Sequence, residues 1–124
     1  MHIEGIMDKK LEKVIQVLWG LKYRNISAYD IEESGVSRFL VVATAVTTAD
    51  NKKYSTAFAE EMKYAGKIEG WHKGEWMIID MGDIVIHLFA SGHREKYNMD
   101  KLYKGKEINL PKLSKKEKSI KNKV

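Results

Sequence analysis

Residues 75–89 read EWMIIDMGDIVIHLF, two apolar runs joined at Met81-Gly82, and this stretch decides the fold. Strand alternation puts Trp76, Ile78 and Asp80 on one face and Met77 and Ile79 on the other. In the second run Ile84, Ile86 and Leu88 share a face, with Val85, His87 and Phe89 opposite. Two apolar runs flanking a glycine-containing turn are expected to form a hairpin. Asp80 and Asp83 flank the glycine of the turn, where a carboxylate accepts backbone N–H bonds. A metal site or acid/base pair built on these two aspartates is the alternative. His87, between apolar neighbours, reads as a core imidazole with a satisfied hydrogen bond, and a catalytic role is its alternative.

Outward from the hairpin, RFLVVATAV (38–46) is a second doubly apolar strand, and ISAYDIE, from Ile26, is a weaker one. Asp8 is placed to cap a helix whose Leu11, Val14, Ile15, Leu18 and Leu21 form one buried stripe. A second helix follows a cap at Thr47, Thr48 or Asp50. Its stripe is Tyr54, Phe58, Met62 and Ala65, and Gly66 is its expected stop. SGHREKYNMDKLY, ending at Tyr103, supplies one or two short helical turns. This order predicts a single α/β (α+β) domain over residues 1–108, a mixed sheet of about five strands flanked by helices.

At 124 residues and 44% hydrophobic content, the chain is one domain able to bury roughly two thirds of its unfolded surface. No cysteine occurs, which excludes disulfides, thiolate metal sites and a cysteine nucleophile and suits a reducing cytoplasm. The longest apolar runs fall short of the roughly 20 residues that cross a bilayer, so no membrane association is expected. The net charge of +5 lies wholly in PKLSKKEKSIKNKV (111–124), six lysines against one glutamate, which leaves residues 1–110 neutral. Residues 109–124 therefore read as a tail, expected to be disordered until it meets a polyanion such as ribosomal RNA, or else simply solubilising. A neutral remainder without an RNA-reading motif argues against a basic RNA-binding module.

Glycine-rich phosphate loops, HExxH and GxSxG are all missing. Residues 71–103 are instead dense in interface-forming types. Trp71, Trp76, His93, Arg94, Tyr97 and Tyr103 cannot all be core in so small a domain.

WMIIDMGDIVIHLF followed by HREKYNMDKLYKGKEI resembles the signature of the ribosomal silencing factor family, also called Iojap-like proteins. That pattern is an aromatic before an apolar strand, an Asp-x-Gly-Asp turn, an apolar-apolar-His strand ending in Phe, then Arg, Tyr and a Leu-Trp pair. The matching positions are Trp76, Asp80, Gly82, Asp83, Val85, Ile86, His87, Phe89, Arg94, Tyr97 and Leu102. AYDIEESGVSRFLVVATA extends the likeness upstream. The chain departs from the pattern at Arg38 and Phe39, where the family has Asp-Tyr, at Ala45 in place of glycine, and at Tyr103 in place of tryptophan.

The resemblance implies a nucleotidyltransferase-like fold without enzymatic activity, metal or cofactor. It also implies binding to ribosomal protein uL14 of the large ribosomal subunit, which blocks small-subunit association and represses translation. A homodimer is compatible with it. The expected contact surface draws on Trp76, Asp80, Asp83, His87, Arg94, Tyr97 and Tyr103. A metal- or nucleotide-binding enzyme of the same fold is the alternative. Against it, Asp80 and Asp83 lie across a turn and would not project side by side as an alternating Asp-x-Asp pair does.

Overall fold

The computed structural model describes residues 8–110, so the lysine-rich tail lies outside the described residues. Asp8 caps α1 (Lys9–Gly20), its carboxylate accepting from the backbone N–H groups of Lys10 and Leu11 at 2.8 and 3.0 Å. The expected stripe is buried at Leu11, Val14, Ile15 and Leu18, each contributing roughly 1.5–3 kcal/mol of apolar burial. β1 (Arg24–Asp30) carries an irregularity between Arg24 and Ser27, where Asn25 takes a positive φ of 51°. β2 (Phe39–Ala45) follows, buried along almost its whole length as a central strand should be.

Thr47 is the residue that caps α2 (Thr48–Glu61), accepting from Asp50 N–H at 3.0 Å. The helix ends well before Gly66. Lys63, at φ 56°, takes the left-handed position, with Lys63 N–H bonded to Glu60 O and Tyr64 N–H to Ala59 O. This double hydrogen bond closes a helix end without glycine. Of the expected stripe Phe58 is buried and Tyr54 and Met62 half-buried, whereas Ala65 is exposed beyond the helix.

The hairpin forms as read, with β4 (Trp76–Asp80) antiparallel to β5 (Ile84–Ala90) and Ile78 facing His87. Two-residue edge strands, β3 (Ile68–Glu69) and β6 (Glu107–Ile108), bring the sheet to six strands in the order β3-β4-β5-β2-β1-β6. Among the described residues only β2 and β5 pair in parallel, because the chain between them crosses over through α2. Two short helices, α3 (Arg94–Tyr97) and α4 (Met99–Leu102), follow β5.

The two sheet faces differ. One packs Val41, Ala43, Met77, Ile79, Ile84, Ile86 and Leu88 against α1 and against Phe58 of α2, and Leu110 closes this main core. The other gathers Tyr29, Ile31, Leu40, Val42 and Phe89 under Trp76, Met99 and Tyr103. No long helix covers that second face among the described residues.

Candidate functional site

Facing pairs lay out the second face in rungs, with Trp76 opposite Phe89, Ile78 opposite His87 and Asp80 opposite Val85. At the α3 end an aromatic stack forms. The Trp76 ring lies 4.1 Å from Tyr97 and 5.3 Å from Phe89, centroid to centroid. Phe89 is fully buried and Tyr97 is 47% exposed, so the stack runs from the core out to solvent. Aromatic groups built this way offer a large, rigid contact area at low entropic cost.

His87 lies beneath the stack. Trp76 Nε1–H donates to His87 Nδ1 at 2.8 Å, which leaves the ring proton on Nε2 and fixes the indole plane. Burial lowers the imidazole pKa to about 4, and a donor aimed at Nδ1 acts in the same direction. His87 is thus a neutral, satisfied core imidazole that reaches the surface through Trp76.

Arg94 lies beneath the surface. Although expected at the contact surface, it is only 8% exposed. Its Nε donates to Asp100 Oδ2 and its Nη2 to Asp100 Oδ1, both at 2.9 Å. Nη1 donates to Asn25 O and to Thr44 Oγ1, the latter at 3.0 Å, and Nη2 reaches Ser27 Oγ at 3.2 Å. Tyr29 OH completes the group, donating to Asp100 Oδ1 at 2.6 Å. The Arg94 hydrogen bonds hold the Asp100 carboxyl below its usual range, against the effect of burial, while burial first and then Asp100 push the Tyr29 phenol up. Arg94 therefore ties the α3–α4 segment to β1 and β2, and so positions Tyr97 and Tyr103. Tyr103 itself packs on Tyr29, ring centroids 6.2 Å apart.

The aspartates are not part of this cluster. Asp80 lies two rungs from Trp76, ~13 Å along the strand, and its Oδ1 accepts from Gly82 N–H at 2.9 Å. Asp83 accepts from Lys10 Nζ at 2.9 Å, which lowers its pKa. Its backbone oxygen takes N–H bonds from Arg38 and Phe39, and Ser37 Oγ donates to Gly82 O. Gly82, at φ 90°, supplies the backbone that the turn requires. The turn thus ties the hairpin to the starts of β2 and α1. Among the described residues no group of three or more His, Asp or Glu could hold a metal ion.

Two further apolar residues share this sheet face, and a third is exposed at the end of α4. Ile78 and Val85 sit half-buried between Trp76 and Asp80, and Leu102 is 72% exposed beside Tyr103. The alternation of the hairpin already places Ile78 and Val85 on this face. No described helix is long and apolar enough to cross a membrane.

The family model described as "Ribosomal silencing factor during starvation" matches residues 6–124. The ribosomal silencing factor RsfS of Zymomonas mobilis is 37% identical over 79 residues, 64% of this chain, and the match spans only 55% of that protein. RsfS of Halalkalibacterium halodurans is 27% identical over 83% of this chain and 82% of its own length. A crystal structure of a Chromobacterium violaceum protein superposes with a TM-score of 0.70 at 24% identity, covering 83% of this chain and 92% of that one, and supports the fold. With the hairpin, the histidine under its tryptophan and the Arg-Tyr helix in place, the chain belongs to the ribosomal silencing factor family.

Proposed function

We propose that the chain binds the large ribosomal subunit through ribosomal protein uL14 and, by occupying the intersubunit face, blocks association with the small subunit. The observation that carries this is the Trp76–Tyr97 stack over Phe89 on the sheet face that no long helix covers. Tyr97, Trp76 and Leu102 supply the apolar anchor, Ile78 and Val85 continue it, and exposed Asp80 sets orientation at the far end. Arg94 and His87 act from beneath, holding Tyr97 and Trp76 in place.

The mechanism is steric exclusion combined with mass action. A factor that binds free large subunits and not joined ones, present at 100 times its Kd, opposes joining by about 2.7 kcal/mol. Translation falls with no bond made or broken and no cofactor used. This reading places the protein in the cytoplasm, with the lysines of residues 111–124 adding salt-dependent contact to ribosomal RNA.

Sedimentation with isolated large subunits, isolated small subunits and joined ribosomes tests it. Pelleting with large subunits alone, and less joining as protein is added, is the expected result. Equal weak pelleting with all three would overturn it, and a homodimer formed through Tyr97 that excludes the large subunit would also do so.

A further inference from the structure

A cleft of about 480 Å³ opens between the C-terminal ends of α1 and α2, far from the aromatic face, lined by Val17, Gly20, Leu21, Ala57, Glu60 and Glu61. Its floor is apolar, and Val17 and Leu21 pack on the main core. Glu60 and Glu61 are the charged residues of its lining and both are exposed; neither α1 nor α2 carries a basic residue within its last turn, and Lys22 and Lys63 follow the two helix ends.

The chain itself heads there. β6 pairs antiparallel to β1, Glu107 opposite Tyr29 and Ile108 opposite Ala28. Each further residue steps back along β1 toward Tyr23, which follows the end of α1. Continuing this register puts Leu110 level with Ile26, and both pack in the same main core as Val17 and Leu21. Residues 111–124 continue the chain from Leu110, carry six lysines against one glutamate, and include the apolar Leu113 and Ile120. Fourteen residues reach up to ~46 Å when extended, more than the span of the cleft.

We propose that this cleft is the docking site for the lysine-rich residues 111–124 of the same chain, which makes the tail's lysines available to a polyanion only when they leave Glu60 and Glu61. The carboxylates of Glu60 and Glu61, the direction in which β6 delivers the chain and the apolar floor favour this occupant whatever the ribosomal partner.

The chain has no cysteine, so Ser119→Cys in the full chain accepts a single nitroxide label. At low salt the amide signals of Gly20, Leu21, Ala57 and Glu60 should lose most of their intensity relative to the reduced label. They should recover in the Glu60→Gln, Glu61→Gln double variant, whose exposed positions leave the fold intact. They should also recover in the otherwise unchanged chain at roughly 1 M salt, where screening acts within about 3 Å. Undiminished signals at low salt would overturn the proposal. So would broadening that neither charge removal nor salt relieves, and so would broadening of an unlabelled, isotope-enriched chain mixed with labelled chains, which would make the occupant a second copy.

Discussion

Replacing Arg94 by alanine removes five hydrogen bonds at once, two to Asp100 and one each to Asn25 O, Thr44 Oγ1 and Ser27 Oγ. Removing one partner of a buried charged network costs about 3–5 kcal/mol. Here the loss falls at the low end, because the Asp100 side chain is 37% exposed and regains water once its partner is gone. The expected destabilisation is about 3 kcal/mol, a large share of the 5–15 kcal/mol that holds a typical domain together. Urea unfolding followed by tryptophan fluorescence reads it directly. With a slope of about 1–3 kcal/mol/M, the midpoint should fall by roughly 1–3 M at unchanged slope. Tyr97→Ala is the control, since Tyr97 is half exposed and gives up mainly its stack on Trp76, worth about 0.5–1.5 kcal/mol. An Arg94→Ala midpoint equivalent to less than about 0.5 kcal/mol of loss would refute the buried tie and return Arg94 to the surface.

His87 makes stability fall on the acid side. Its native pKa of about 4 lies below the ordinary 6.5, so between those values the unfolded chain takes up a proton that the native chain refuses, and up to roughly 3 kcal/mol is lost as pH falls. Melting temperatures from pH 7 to 4 should show this limb in the native sequence and a flatter one in His87→Gln; equal slopes would contradict it. Asp100, whose native pKa is lowered, contributes stability that is fully present above its ordinary carboxylate value and is lost as pH falls through the native one. Its limb should therefore lie at lower pH than that of His87, and be missing in Asp100→Asn. Asn51→Ala should cost about 2–3 kcal/mol in urea unfolding, since it takes the side-chain amide from Gly74 O and Leu88 O and leaves Tyr23 OH only the main-chain oxygen of residue 51, at 3.3 Å. A cost below about 1 kcal/mol would mean that water replaces the amide.

What was legible in the sequence follows the range of the interactions involved. The hairpin and the Asp8-capped helix are short-period patterns written in neighbouring residues, and both form as read. β3 and β6 have two residues each, too few to show alternation, and their pairing depends on edges supplied by β4 and β1. The end of α2 was misplaced because glycine is the usual left-handed residue, whereas Lys63 occupies that position here. Asn51, in the first turn of α2, is fully buried because Tyr23, Gly74 and Leu88 converge on it, and nothing in its neighbouring residues signals this. Arg94 stands out in the sequence, but its burial does not, since Asn25, Ser27 and Thr44 lie 50 or more positions away. The seven expected contact residues separate into an exposed stack, a buried support and a distant turn, a division that depends on burial and not on order along the chain.

Titration of isolated uL14 with the protein and with Tyr97→Ala, by calorimetry, tests the central claim most directly. The account predicts binding by the native sequence and, for loss of an aromatic anchor worth about 2 kcal/mol, roughly 30-fold weaker binding by a variant that keeps its fold. Equal affinity of the two proteins, or no binding of uL14 by either, would contradict it.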